Sequence, residues 1–487
     1  MSKLIFKKRM KKFIIILNIS LLFLVACTKN LDDYNVNTKA AQIGEAPAAT
    51  LLSNAQLSLA SIMASPNVNN NIFRLLAQHW TQTTYIEESN YNLVTREIPD
   101  NFWTLLYRDV LRDLKEAQTI VEKTDPKFTD PAVIKNQLAI IDMLQVYTYS
   151  VLVNTFGNIP YTEALDISNL QPVYDDAATI YADLQKRLDA DLTNLDLSKP
   201  AFETADLIYK GSVEKWQRFG NSLKLKLGMT LAESDPALSK KMVEEAAPNV
   251  FQSNADNAAF KFLKAPPYTN PIWTNLIQSK RKDFVIANTL VDRMNTLEDP
   301  RRPFYFTMVE GEYKGGVYGA NNSYPSYSKP SEKMTAEDFE GLLLDYAETA
   351  FYLAEATERG YQVGGTAESH YNNAITASIL YWGGTDAEAS AYIAKPEVAY
   401  STASGDYKQK IGLQKWIALY NRGHEAWTEW RRLDVPALIP PVGNDRPIPL
   451  RFTYPVDEQN LNSKNQEAAA AAIGGDKTDT RLFWDKQ

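Results

Sequence analysis

Residues 130–157 read DPAVIKNQLAIIDMLQVYTYSVLVNTFG, a run with Pro131 at its head and Gly157 at its tail. Proline suits the first turn of a helix and glycine ends one, so the stretch predicts one continuous helix. Its side chains are apolar nearly all round. Such a helix has no polar face to turn toward water, so it must be central, enclosed by other elements. The rest of the chain has to supply the apolar faces that wrap it.

Those faces read as helical. In IPDNFWTLLYRDVLRDLKEAQTIVEK (98–123), Asp100 can cap the start, and Trp103, Leu106, Val110, Leu114, Ala117 and Val121 recur at spacings of three and four. Further helical periods fit 50–64, 72–83, 174–193, 213–233, 237–247, 285–297, 335–360, 365–382 and 407–432. Several are paired through short connectors, as 335–360 and 365–382 are through RGYQVGG. The expected fold class is all-α, with tetratricopeptide-like helix pairs, although no clean 34-residue self-similarity accompanies them.

Two stretches break the period. TTYIEESNYNLVTRE (83–97) follows a predicted helix that ends at Gln78-His79-Trp80. Residues 265–332 crowd Pro, Gly, Asn and Tyr around one good helix, 285–297. Long irregular segments in a compact domain are functional or disordered, and this aromatic content argues against disorder.

The chain has one cysteine, Cys27, in LLFLVACTKNLDD (21–33). Residues 1–12 carry six basic side chains and no acid, and 13–25 are almost wholly apolar. A basic head, a short apolar run and a small residue form a secretory signal, with Met10 an alternative start. Leu24-Val25-Ala26-Cys27 reads as a lipobox, where a thiol takes up diacylglycerol and becomes the first mature residue. The expected organisation is a signal over 1–26, a lipidated tether over 27–48 and a folded domain over 49–487. Multiple acyl chains on Cys27 would hold that domain on a membrane.

Removing the signal leaves 45 basic against 59 acidic side chains, a net charge of about −14. Such a surface is unsuited to nucleic acid, which needs a basic footprint. Without another cysteine the exported domain has no internal disulfide, so its core alone must hold it. Tyrosine is abundant, at 26 residues against 19 Phe. Rings with a polar tip suit half-wet surfaces, sugar platforms among them.

No catalytic motif emerges. HEAWT (424–428) stops short of H-E-x-x-H, because Thr428 cannot replace the second imidazole. The other histidines are His79 and His370. Nucleophile-elbow, Walker, dinucleotide and EF-hand patterns are absent. Glu425 and Glu429 lie one helical turn apart, as a glycosidase pair would. The plainer reading is a solvated or salt-bridged face with Arg422, Arg431 or Arg432. No cofactor or metal is expected.

Several stretches resemble the SusD/RagB family of nutrient-binding outer-membrane lipoproteins of Bacteroidetes. They are QVYTYSVLVNTFGNIPYTEAL (145–165), DLIYKGSVEKWQRFGNSLKLKLGMTLA (206–232), EDFEGLLLDYAETAFYLAEATERG (337–360), IGLQKWIALYNRGHEAWTEWRRLDVPAL (411–438), IPLRFTYPVDEQNLNSKN (448–465) and DTRLFWDKQ at the end. Their own physics is structural: a turn at Asn158-Ile159-Pro160-Tyr161, a core stripe of Trp216, Phe219, Leu223 and Leu227, and a lock of Arg451, Tyr454 and Glu458. The resemblance implies a non-enzymatic, outward-facing lipoprotein that captures an oligomeric nutrient as the lid of a SusC-like TonB-dependent transporter. It also implies that long irregular segments form the ligand site. On that basis Trp80, Tyr85, Tyr91, Tyr268, Trp273, Tyr318 and Tyr324 are candidate stacking platforms. Gln82, Asn90, Asn270, Arg281 and Asn321 are candidate hydrogen bonders. Oligosaccharide is the expected cargo. A peptide-carrying lid and a lipoprotein glycosidase are the alternatives.

Overall fold

The computed structural model describes residues 46–444 and 446–486. Cys27, the signal over 1–26 and the tether as far as residue 45 lie outside the described residues. The account below concerns the compact unit that begins at Pro47.

Helices dominate. The first half contains α1 (Ala48–Ala64), the short α2 (Phe73–Leu76), α3 (Ile98–Thr104), α4 (Arg112–Glu122), α5 (Pro131–Phe156), α6 (Ala177–Asn194), α7 (Val213–Thr230) and α8 (Pro236–Ala246). A π-helical stretch, Leu105–Leu111, runs α3 into α4. The second half contains α9 (Asn288–Thr296), α10 (Arg302–Tyr305), α11 (Tyr346–Glu358), α12 (Ala367–Trp382), α13 (Asp386–Ile393), α14 (Tyr407–Ala418), α15 (Gly423–Leu433), α16 (Val456–Leu461) and α17 (Ser463–Ala472). No described helix is long and apolar enough to cross a membrane.

The apolar run is α5, and it is central. Asp130 caps it by accepting from the Ala132 amide, and every side chain from Met143 to Phe156 is buried. It packs against α4, α6 and α7. Gly157 leaves the helix at φ +88°, a conformation that costs other residues a Cβ clash. Helix pairs α5/α6, α7/α8 and α11/α12 form the expected hairpin-like units. The C-terminal segment is tied to the end of α5. Arg451 donates to the Phe156 carbonyl (3.1 Å from Nε) and pairs with Asp476 (2.6 Å), while Glu458 accepts from Tyr174 Oη (2.8 Å).

Two short antiparallel sheets interrupt the helices. β1 (Trp80–Gln82) pairs with β3 (Phe284–Ile286), and β2 (Ala258–Phe260) pairs with β4 (Gly341–Leu344). β1 and β4 shorten two predicted helices, and a third divides. The 72–83 helix stops at Leu76, because Gln78 adopts φ +54° and the next residues pair with β3 instead. The 335–360 helix begins only at Tyr346, after β4, where Asp345 caps the Glu348 amide at 2.7 Å. The 407–432 helix divides into α14 and α15. Gly423 opens α15 so close to α2 that a Cβ there would lie 2.6 Å from the Arg74 nitrogen.

Glu425 and Glu429 are salt-bridged and wholly buried, not solvated. Glu425 accepts from Lys226 Nζ (3.2 Å) and Tyr147 Oη (3.2 Å). Glu429 accepts from Lys415 Nζ (2.7 Å), Arg432 Nη2 (2.7 Å) and Tyr352 Oη (2.8 Å). Glu348 with Arg422, and Glu355 with Arg432, complete the network between α7, α11, α14 and α15. Burial alone would raise these carboxyls. The neighbouring cations outweigh it: Lys226 and Arg422 hold Glu425 well below the usual range, and Arg432 and Lys415 do the same for Glu429. Arg431 takes no part in this pairing. It donates to the carbonyls of Asn154 (2.9 Å) and Leu450 (2.8 Å) and lies 3.5 Å from the Trp427 ring centroid.

Candidate ligand-binding site

The two irregular segments meet through β1 and β3. Trp80 stands opposite Ile286 and Gln82 opposite Phe284, and the Thr83 amide extends the pairing to the Asp283 carbonyl at 2.9 Å. Beyond β1 the chain folds back on itself through residues 83–97. Buried Glu88 anchors this loop. It is ion-paired with Arg96 and accepts from Gln82 Nε2 (2.6 Å), while Gln82 Oε1 accepts from the Ser89 amide (2.8 Å). The other segment grips the loop: Asn322 Nδ2 donates to the Gln82 carbonyl (3.0 Å), and Asn90 Nδ2 donates to the Gly319 carbonyl (2.9 Å).

The anchoring holds a strained backbone. Tyr85, Tyr91 and Glu97 all occupy left-handed φ, at 55°, 64° and 50°. Each costs roughly 1–2 kcal/mol for a residue with a Cβ, and such strain gathers where a side chain must be aimed. At Tyr85 it aims the ring outward, 71% exposed.

Beneath Tyr85 lies a cleft of about 440 Å³. Asn67, Asn69, Gln82, Arg96, Arg281 and Asp283 supply its polar lining, Val68 and Phe284 its apolar lining. Arg281 and Asp283 pair only loosely, at 3.7 Å, leaving guanidinium donors free. An exposed ring beside amides and a guanidinium matches a pyranose, whose C–H face stacks while its hydroxyl rim hydrogen-bonds. Among the described residues no group of His, Cys, Asp and Glu side chains is arranged to hold a metal ion. His424 instead shares a hydrogen bond with Thr155 Oγ1 at 3.1 Å.

Of the candidates read from the sequence, the cleft gathers Gln82, Tyr85 and Arg281. Gln82 lines it but is committed to the loop. Several others face inward. Trp80 is buried and donates to Tyr420 Oη (3.1 Å); Tyr91 is buried and accepts from Gln78 Nε2 (3.3 Å). Tyr318 donates to the Leu75 carbonyl (2.8 Å), and Asn270 joins Phe339 O (2.7 Å) to the Ile272 amide (2.7 Å). Their faces are used in packing, so they offer no platform in this conformation. Asn90 is half-buried and likewise bonded to the protein. Tyr268 and Asn321 are exposed, and Trp273 and Tyr324 are half-buried, but none of the four lines the cleft. The centroid of the Tyr324 ring lies 5.9 Å from Lys282 Nζ and 5.2 Å from Lys329 Nζ. Asn67, Asn69, Arg96 and Asp283 were not singled out. The run SPNVNNN (65–71) carried a signal for two of them, since clustered Asn after Pro marks a turn.

A larger open cleft, of about 590 Å³, lies across α5 and α6. Its central groups are mostly committed to one another: Arg187 forks onto Asp142 and Gln145, and Tyr161 donates to Asp183.

A family model named SusD-like_2, described as "Starch-binding associating with outer membrane", matches residues 39–455. Among solved structures, one described as a chitin-binding protein is 26% identical, with a TM-score of 0.79 over 90% of this chain and 100% of that one. A chitin-binding SusD homolog from Flavobacterium johnsoniae is also 26% identical, with a TM-score of 0.75 over 90% and 97%. A SusD homolog from Bacteroides uniformis, 24% identical with a TM-score of 0.76 over 90% and 99%, shares the fold. No curated protein matches the chain.

Proposed function

The chain belongs to the SusD-like family, whose members are carbohydrate-binding proteins associated with the outer membrane, and from that premise we propose that it captures oligosaccharides in the Tyr85–Arg281 cleft. One observation carries this reading. The β1–β3 pair joins two irregular segments and presents an exposed, conformationally strained Tyr85 above free amide and guanidinium donors. Two of the similar structures are described as chitin-binding, so β-linked N-acetylglucosamine oligomers are the first ligands to test. The protein binds without hydrolysing, a reading supported by the commitment of Glu425 and Glu429 to buried cations. Cys27 anchors it by lipid, facing outward. It acts as the lid of a SusC-like TonB-dependent barrel, to which it passes its cargo.

Calorimetric titration of the purified protein with N-acetylglucosamine and maltose oligomers tests the capture step. Saturable binding that weakens in Tyr85→Ala is expected. Absence of binding to both series, or undiminished binding by the variant, would overturn the cleft assignment. Extraction of outer membranes in mild detergent tests the lid: a TonB-dependent barrel should copurify with the lipoprotein, and isolation of the protein alone argues against it.

A further inference from the structure

A second cleft, of about 390 Å³, shares no lining residue with the first. Its volume lies in the range of small-molecule sites. Three lysines converge on it: Lys210, Lys215 and Lys261. Lys215 donates to the Ala255 carbonyl at 2.7 Å and lies 5.9 Å from the centroid of the Tyr209 ring. Among the described residues, none of the three forms an ion pair. The one carboxylate in the lining, Glu340, stands against the hydroxyl of Tyr381. The cleft is therefore positive in a chain whose net charge is −8. A concave, low-dielectric wall concentrates that potential.

The remaining lining gives the anion a carrier. Leu207, Ile208, Ala259 and Tyr209 form an apolar wall. Asn254 Oδ1 is buried without a hydrogen-bond partner, and the buried Tyr381 hydroxyl makes no well-formed hydrogen bond. Burial, with Glu340 beside it, keeps that hydroxyl protonated. The rim is also pre-set. Lys210 is held at φ +55° by hydrogen bonds to Asp206, from its own amide to the carbonyl (3.1 Å) and from the Gly211 amide to Oδ2 (3.0 Å). Gly211, at φ +84°, passes so near Glu203 that a Cβ would lie 2.6 Å from its Cα.

We propose that this cleft binds an acidic saccharide, with a carboxylate or sulfate against Lys210, Lys215 and Lys261 and the sugar ring against the Tyr209 wall. The site is independent of the neutral-sugar cleft at Tyr85. Lys210 and Lys261 are exposed and, among the described residues, their ammonium groups make no bond, so the double variant Lys210→Gln/Lys261→Gln should fold as the wild type does. The probes are trigalacturonic acid for the carboxylate and a sulfated disaccharide for the sulfate, titrated calorimetrically at low salt. At least one should bind the wild type, weaken as NaCl rises from about 50 to about 500 mM, and lose about tenfold or more in affinity in the double variant. Which probe binds tells carboxylate from sulfate. The variant should retain wild-type binding to N-acetylglucosamine oligomers, and Tyr85→Ala should retain the acidic ligand, so each cleft stands or falls separately. Failure of both probes to bind at about millimolar concentration, or equal binding by wild type and double variant, overturns the proposal.

Discussion

Replacing Glu429 by Gln removes one charge from the buried network while nearly preserving shape. Arg432 keeps Glu355, which it holds at 2.6 Å through Nη1. Among the described residues Lys415 has no second carboxylate within ion-pair distance, so the cost falls mainly there. In the native protein burial already drags the Lys415 pKa down to about 8, against the pull of Glu429. Without that pull it falls further, so more of the lysine is neutral in the folded variant at neutral pH. Discharging a group of pKa about 8 at pH 7 costs on the order of 1 kcal/mol, which caps this contribution. Weakened charge-assisted bonds from Arg432 and Tyr352 add roughly 1.5–3 kcal/mol. The expected loss is ~3–4 kcal/mol, within the range for breaking a buried pair. At the usual unfolding entropy per residue this lowers Tm by about 3–4 °C in a chain of this length. The pH dependence is the sharper test. Because the folded pKa of Lys415 lies below its unfolded value, the unfolded chain holds the extra proton between pH 8 and 10.5, and this group's contribution to stability rises with pH across that window. In the variant the window opens lower, so the deficit relative to wild type shrinks by on the order of 1 kcal/mol between pH 7 and pH 9. Scanning calorimetry of both proteins at the two pH values measures it. A deficit independent of pH, or no deficit at pH 7, refutes this account of Lys415.

Tyr85→Ala should lower oligosaccharide affinity by roughly ten- to a hundredfold, the loss of one stacked ring, with Tm unchanged. Trp80→Ala should instead cost ~3–5 kcal/mol of stability, because that ring is buried against Phe284 and bonded to Tyr420; a thermal melt separates the two outcomes. Cys27→Ala should release soluble protein or leave unprocessed precursor, and membrane-bound mature protein would contradict lipidation at Cys27. Burial, reinforced by Asp142, pushes the Asp191 carboxyl up to about 10. The folded state therefore keeps a proton that the unfolded chain releases, and this group's stabilisation is lost as pH rises toward 10. Asp191→Asn should flatten that decline, read as a smaller fall in Tm between pH 6 and pH 9 than the wild type shows.

Helical periodicity carries its own inside and outside, which is why the scaffold was legible. Trp103, Leu106, Val110, Leu114, Ala117 and Val121, one apolar stripe in the sequence, are all buried. The all-round apolar character of 130–157 told correctly that α5 would be central. The strands were not legible. β1 and β3 are three residues each, too short to show a period of two, and each exists only because a partner about 200 residues away satisfies its backbone. The charge network was half legible: spacing placed Glu425 and Glu429 on one face, but Lys226, Glu348 and Lys415 arrive from other helices.

The irregular segments expose the limit most clearly. Trp80 and Tyr85 stand five residues apart in one aromatic-rich stretch, and composition treats them alike. Their fates diverge for reasons that are wholly tertiary. At Trp80 the chain is in β1, sealed by β3 and by the Tyr420 hydroxyl. At Tyr85 it has left the sheet, and a left-handed residue turns the ring outward. Glu88 and Arg96 close the loop behind that turn. A loop that must present one ring to a ligand needs a rigid base, and the same segment supplies both. Trp80, packed against the cleft-lining Phe284, is therefore support and not platform. Loop position alone cannot tell support from platform, because inside and outside are then decided one residue at a time by partners distant in sequence.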